Sequence, residues 1–510
     1  MYVLTTEAIM KNILIHEIFE PIEKAGFKAW FVGGCVRDQL MGVTPHDFDI
    51  CTNATPADLH KIFTEFSNVS ENSEPFGVTI ILVPSNNTMI EVEIATLRKD
   101  ITKGRHPKIE FTDSIEEDAM RRDFTVNALF ETSKGEIIDP TGLGVADCKN
   151  KVLRFVGDPQ ERISEDPLRV FRFVRFLASK GFTSAHLAHD AVKWKSDFCD
   201  VSKERILKEL EKTFAGKFLF IEDAEGSRPW DFFLCTKVAS KIGMADLMVD
   251  MIIIPQSLKW HAEGSVWKDS NDDIKPAEQL ATFKGFQPVS NGNVLDHVLR
   301  VMENMSKLTA DLDEHKRFIM MMAAFLHDIG KTIPEGEKTS TWTHDGQEVS
   351  ETVPVVHNHD VTGAPIAFEF CKKLGMSNDD SKFVSELTRL HMRMHQLTKI
   401  KSRFSMLKLT NHPFFDDIVT LAKADESACI KTVDDEWIGV EKALKVPLAS
   451  ECIGVPMPKP LVTGDDLIAI GKKPGPEFRR LLEIGMKLQI DQNLSKESIL
   501  KQLKNLKFKK

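Results

Sequence analysis

FVGGCVRDQLMGVTPHDFDICTNATP, residues 31–56, holds two features whose spacing matters. Phe31-Val32 closes a short apolar run, and Gly33-Gly34 then opens a helix carrying Arg37 and Asp38. Glycines at such a corner let the backbone approach a phosphate, and a helix start offers N–H groups without intrahelical partners. A glycine pair before a helix is, alone, more often a plain turn. The balance shifts with His46-Asp47-Phe48-Asp49-Ile50. In a strand Asp47 and Asp49 share one face, while Phe48 and Ile50 turn to the core. Like charges on one face repel, so something must offset them. A pair of Mg²⁺ ions about 4 Å apart, holding an attacking hydroxyl and a leaving pyrophosphate, needs that arrangement. A third carboxylate is available at Glu93, or at Glu91 on the same face, in the strand-like IEVEIATLR (90–98).

Two groups of arginines follow. Arg98, Lys99, Lys103, Arg105, His106 and Lys108 surround a Gly/Pro-containing loop, and Arg121-Arg122-Asp123-Phe124-Thr125 comes next. A charge run is usually a solvated face, but the planar fork of arginine suits phosphate, and phosphoryl transfer needs mostly positioning and neutralised charge. In ISEDPLRVFRFVRF (163–176), Asp166, Arg169, Arg172 and Arg175 recur every third residue, opposite Leu168, Phe171 and Val174. A helix surface laced with ion pairs explains that stripe. Base chemistry offers a sharper reading. Cytosine and adenine each present an amino donor beside a ring-nitrogen acceptor, and uracil and guanine the reverse. A carboxylate beside a guanidinium accepts C or A and leaves the polar groups of U and G unpaired.

Residues 31–56 resemble the catalytic signature of the class II tRNA nucleotidyltransferase and bacterial poly(A) polymerase family. The R-R-D-F-T-x-N-A element of that family is matched through Asn127 and Ala128, and its E-D-x-x-R-x-x-R element by Glu165, Asp166, Arg169 and Arg172. IIDPTG (137–142) resembles the hinge between head and neck, and Glu204-Arg205 and Glu209 resemble the brace of the base-reading helix. The match is nearly continuous from 30 to 215. It implies that Asp47 and Asp49 hold Mg²⁺, with Glu93 as third carboxylate, and that Gly33, Gly34 and Arg37 contact the incoming nucleotide. Arg121 or Arg122 would hold the triphosphate, Asp166 and Arg169 would read the base, and Arg172 and Arg175 would lie nearer the phosphates.

A different pattern begins at residue 293. His297 stands in VLDHVLRV, His327-Asp328 in FLHDIGK, His359-Asp360 in HNHDVTGAPIA, His391 and His395 in RLHMRMHQL, and Asp425 in LAKADES. One histidine on an apolar helix is usually a core residue; several on separate helix-like segments suit a first-row divalent metal with positions left for water. The order H…HD…D resembles the HD phosphohydrolase superfamily. That likeness implies His297, His327, Asp328 and Asp425 as ligands of Mn, Ni, Fe or Mg, with His359 and His391 available for a second metal. HAEGSVW (261–267) resembles a stretch that in related enzymes runs almost directly into the first ligand; here 268–292 intervene. Either His297 is still correctly placed or the site is degraded, and the complete set of ligand types favours the first.

The 510 residues suggest three or four domains at ~100–200 residues each, and 42% hydrophobic with 28% charged residues is an ordinary globular composition. A net charge of −10 leaves any nucleic-acid partner to local basic patches at 98–122, 203–217 and 498–510. Eight cysteines without a C-x-x-C pair signal neither a zinc ribbon nor a disulfide framework and fit a reducing cytoplasm. No run of ~18 apolar residues appears, so no membrane partner is expected. The fold expected is α+β: a nucleotidyltransferase head with a small mixed sheet (1–140), a base-recognising neck (141–215) and a body or linker with an insertion (216–292). A helical HD domain (293–450), nearly all helix, and a small tail (451–510) with two short helices and a possible tRNA contact complete it. Ser164 and Ser202 are expected helix N-caps and Gly181 a stop. The resemblance implies template-independent addition of C and A from CTP and ATP to the 3′ end of tRNA. A poly(A) polymerase, a variant adding only C or only A, and a metal phosphohydrolase whose head merely binds RNA are the alternatives. Oligomeric state is left open.

Overall fold

Ala29–Val32 (β1), AWFV, is buried at every residue and forms an inner strand of the sheet that organises the N-terminal part of the chain. The computed structural model describes residues 6–45, 47–63, 77–85, 88–102, 108–185, 201–222, 228–230, 233, 241–252, 254, 256, 266–268, 287–289, 293–344, 347–429 and 439–506. The chain divides after Met244 into two units.

In the first unit, Gly33 follows β1 at φ +73°, a backbone conformation that side chains resist, and starts α1 (Gly34–Leu40). β2 (Ile50–Thr52), β3 (Val78–Ser85), β4 (Thr88–Thr96), β5 (Phe130–Glu131) and β6 (Ile137–Ile138) complete a mixed sheet in the order β3-β4-β2-β1-β5-β6. Only β2 and β4 run parallel. Trp30, Val32, Cys51, Leu97 and Phe130 pack one apolar core. The Asp47–Asp49 run lies just ahead of β2 instead of inside a strand, because the ladder begins at Ile50. The chain is nevertheless tied to β1 there, with Val32 N donating to Asp49 O at 2.9 Å, and the Phe48 ring lies 5.7 Å from Phe31.

Later helices of this unit include α2 (Ile115–Met120), α3 (Pro159–Glu165), α4 (Leu168–Lys180) and α5 (Lys203–Phe214). The expected continuous stripe on one helix is broken. Asp166 is extended (φ −142°) between α3 and α4, because Pro167 disfavours helical backbone in the residue before it. Ser164 is no N-cap but lies within α3, whose cap is Asp158; Ser202 takes the N-cap position of α5 without a capping bond; Gly181 ends α4 as expected. Phe124 packs on Phe155 (5.0 Å) and on Phe176 of α4 (5.3 Å), and Phe155 stacks on Phe173 at 5.6 Å. Beside these rings, Asp123 accepts two bonds from Arg172 of α4, at 2.6 and 2.8 Å.

The second unit is helical: α6 (Val294–Leu308), α7 (Glu314–Leu326), α8 (His359–Leu374), α9 (Asn378–His395), α10 (Arg403–Thr410) and α11 (Phe415–Ala428). One correction concerns β7 (Gly336–His344) and β8 (Gln347–Val355), an antiparallel hairpin in a region expected to be helical. Its strands are rich in Thr and Val, and Asp345-Gly346 in the sequence between them is a hairpin-turn pair. Val266–Lys268 pairs antiparallel with Gln287–Val289; most of 268–292 lies outside the described residues. The chain closes with three helices instead of two, α12 (Gly464–Ala469), α13 (Glu477–Gln492) and α14 (Lys496–Asn505), around Val462, Leu467, Leu481, Ile499 and Leu503. Among the described residues, no helix is long and apolar enough to cross a membrane.

Burial alone would raise the Asp123 carboxyl, but Arg172 and the bonds from Asn127 and Phe124 outweigh it and hold it at about 2. A depressed carboxyl stabilises the fold above its ordinary value near 4 and loses that contribution as pH falls towards 2. Asp123→Asn is therefore expected to cost about 2 kcal/mol at neutral pH. Its deficit against the native chain should narrow in thermal melts taken from about pH 4 downwards.

Candidate functional site

β2 and β4 are parallel with Ile50 opposite Ile94. Asp49 and Glu93 each precede that pair by one residue, and Asp47 and Glu91 by three. The four carboxylates line a single cavity of about 360 Å³, together with Phe48, Val92, Met10 and Leu14. Desolvation in this cleft raises the Asp49 carboxyl; the Asp47 charge adds to that, while Arg122 and Arg37 oppose it. A Cβ at Gly34 would lie 3.7 Å from Arg37 Nη2 and 4.0 Å from Asp49 Oδ2, and one at Gly33 would lie 3.5 Å from Arg122 Nη1. The glycine corner, the acids and two guanidiniums thus converge. Converging oxygen donors with few cations to balance them suit a hard divalent metal.

Arg37 is only 6% exposed and donates to Asn127 Oδ1 (2.6 Å) and to Asp38, which also takes Lys180 at 3.1 Å. Arg121 and Arg122 share one carboxylate: Arg121 reaches Asp118 Oδ1 at 2.5 Å and Arg122 reaches Oδ2 at 2.9 Å. Burial raises the Asp118 carboxyl, but the two guanidiniums dominate and hold it below the ordinary range. Asp118 was not singled out from sequence, although an acid three and four residues ahead of two arginines is a helical ion-pair signal. Lys103, Arg105 and His106 lie outside the described residues.

In α4, Arg169 donates to Glu165 (2.8 Å), to Arg162 O (2.8 Å) and to Arg121 O (3.0 Å), which ties it to the Arg121-Arg122 turn. Asp166 accepts from Arg205 of α5 at 2.8 Å. Glu209, also on α5, lies 3.0 Å from Arg175 and 3.7 Å from Arg172. Arg172 and Arg175 are thus engaged with Asp123 and Glu209, and α5 braces both Asp166 and α4.

The second unit gathers its histidines around Asp328. Asp328 Oδ2 lies 3.4 Å from His327 Nε2 and 3.6 Å from His297 Nε2; Oδ1 lies 3.2 Å from His359 Nε2 and 3.6 Å from His391 Nε2. Asp425 sits 2.9 Å from His297 and 2.8 Å from His395. Two groups, His297–His327–Asp425 and Asp328–His359–His391, each have donor atoms within 4.8 Å of one another. The intervening segment has thus not displaced His297. His327 Nδ1 donates to Ala324 O (2.8 Å) and His391 Nδ1 to Thr388 O (2.7 Å), which leaves Nε2 of each as a lone pair facing the cluster. Nε2 of His359 and of His391 is buried without a hydrogen bond. These mixed nitrogen and oxygen donors can hold a divalent metal. Gly330 went unnoticed in the sequence: a Cβ there would fall 2.1 Å from His359 O and 2.8 Å from Gly363 N. This close approach sets the first turn of α8, and His359 with it, against Asp328.

Each centre falls within a recognised domain family. The Poly A polymerase head domain family matches residues 29–154, and the HD domain family matches residues 294–429. The chain is 40% identical over 204 residues to the CCA-adding enzyme of Ligilactobacillus salivarius, covering 39% of this chain and 48% of that protein. It is 35% identical over 258 residues to the CCA-adding enzyme of Latilactobacillus sakei, covering 49% of this chain and 61% of that one. The chain thus spans about half the length of the curated relatives it matches. The Bacillus stearothermophilus CCA-adding enzyme, solved in complex with CTP, shares the fold at a TM-score of 0.57 and 20% identity, over 98% of this chain and 97% of that one.

Gly330→Ala should force α8 outward. With a divalent metal such as manganese supplied at limiting concentration, the metal retained per chain after desalting, read by atomic emission, is expected to fall about tenfold as the His359 group opens. An unchanged metal content would show that the close glycine contact does not set the site.

Proposed function

We propose that this chain adds CMP and AMP, from CTP and ATP, to the 3′ end of tRNA without a template and releases pyrophosphate. The convergence of Asp47, Asp49, Glu91 and Glu93 on one cavity beside the Gly33-Gly34 corner supports this most strongly. The likeness to CCA-adding enzymes points the same way. Asp47 and Asp49 would hold Mg²⁺, with Glu93 as third carboxylate; the bound metal would neutralise the triphosphate and lower the pKa of the attacking hydroxyl. The O3′–Pα bond forms, the bond from Pα to the β-phosphate oxygen breaks, and the hydroxyl proton passes to water. Gly33 and Gly34 admit the triphosphate close to the backbone, with Arg122 on one side and Arg37 behind. Arg121 and Arg122, spread over Asp118, present a fixed pair of guanidiniums.

Asp166 accepts the amino group of cytosine or adenine, and Arg169 donates to the adjacent ring nitrogen. Arg172 and Arg175 hold α4 in place through Asp123 and Glu209. In the second unit, Asp328 lies between two histidine groups, an arrangement suited to hydrolysis of a phosphate ester with Mn, Ni, Fe or Mg. Asp425, His297 and His327 would complete one metal and His359 and His391 the other. The six described cysteines are free thiols, which fits a reducing cytoplasm.

Labelled-nucleotide extension of a tRNA lacking its last three residues, alongside a generic short RNA, tests this. The expected product is C, C, A on the tRNA only, with Asp47→Ala lowering the rate at least a thousandfold. Long A tracts on both RNAs would reassign the chain to poly(A) synthesis, and no incorporation would contradict transferase activity.

A further inference from the structure

The second unit carries another cavity, of about 460 Å³, walled by the end of α9, residues 396–402, α10 and one residue of α13. It shares no residue with the histidine cluster. Five cationic side chains line it, Arg389, Arg393, Lys399, Lys401 and Lys408, against a single carboxylate, Glu483. Lys408 is paired with Glu483, and Arg389 with Glu386 at 2.5 Å. Arg393, Lys399 and Lys401 are exposed, and among the described residues none of the three has an ion-pair partner; Lys401 donates to Thr398 O at 3.3 Å. The floor is apolar, with Leu390, Phe404 and Leu409 each buried to 8% exposure or less. The wall is fixed: Asp491 of α13 accepts from the Ser402 hydroxyl at 2.5 Å and from Phe404 N at 2.8 Å, pinning the start of α10.

Three unmatched cations lining an apolar-floored pocket of this size fit a phosphate with its attached ribose and base. The whole chain carries a net charge of −10, so it has no general attraction for a polyanion and a local cationic pocket gains weight as a contact. We propose that this pocket binds the sugar-phosphate backbone of RNA, which rests on the reading that the chain acts on tRNA.

The test is fluorescence anisotropy with a labelled tRNA transcript lacking its CCA end, titrated at several salt concentrations. The doubly substituted Arg393→Glu, Lys399→Glu chain is expected to bind at least tenfold more weakly and to lose roughly two from the slope of log affinity against log salt. Extension assays should show a raised KM for tRNA with kcat unchanged, since neither residue touches either candidate centre. Lys399→Gln alone, at an exposed position that packs no core, should lower the slope by roughly one and serves as the check against misfolding. Unchanged affinity and slope in a variant that still melts like the native chain would overturn the proposal. A native chain that extends tRNA while the variant binds it equally well would sink the pocket alone; a native chain that neither binds nor extends tRNA would sink both readings.

Discussion

A carboxylate taken out of water must be given positive or hydrogen-bonding partners, and the first unit is arranged around that requirement. Asp118 is met by Arg121 and Arg122, and Asp123 by Arg172, Asn127 and the Phe124 N–H. Because the two acids lie close in sequence while Arg172 comes from α4, satisfying them locks the arginine-rich turn and α4 into one geometry. Phe124, Phe155, Phe173 and Phe176 supply the apolar half of the same joint. The arginines beside the glycine corner and the residues proposed to read the base are thereby held in fixed relation, through Arg169 donating to Arg121 O.

The second unit meets the same requirement differently. Asp328 is almost fully buried and has His297 and His327 near one oxygen, His359 and His391 near the other, and Lys331 at 2.6 Å. Those partners hold its carboxyl well below the ordinary range against the opposing effect of burial. Asp425 is treated likewise by His297 and His395. The histidines whose Nδ1 is committed to a helix carbonyl cannot turn away, so the cluster is preorganised.

Residues whose chemistry is concentrated at short spacing were legible in the sequence. Gly33-Gly34, Asp47 and Asp49 stand out because few structural roles need that combination, and Glu93 then lines the same cavity as the two aspartates. The break at Asp166 was less legible, since regularly spaced arginines masked a proline that forbids helix before it. Hairpin 336–355 carried its own strand pattern and turn pair but was flanked by strongly helical segments. Asp118 and Gly330 escaped for another reason: their roles depend on neighbours that only folding supplies, two guanidiniums in one case and the backbone of α8 in the other. The gathering of His297 with Asp425 follows from α6 packing beside α11, which local sequence does not encode.

That the protein alone reads the base through Asp166 is tested most directly by the ratio of CTP to UTP incorporation in an Asp166→Asn chain. An amide offers a donor where the carboxylate only accepts, so uracil gains a partner that it lacks in the native site. The ratio is predicted to fall by about ten- to a hundredfold, the equivalent of one unpaired buried polar group. A ratio equal to that of the native chain would contradict base selection by this residue.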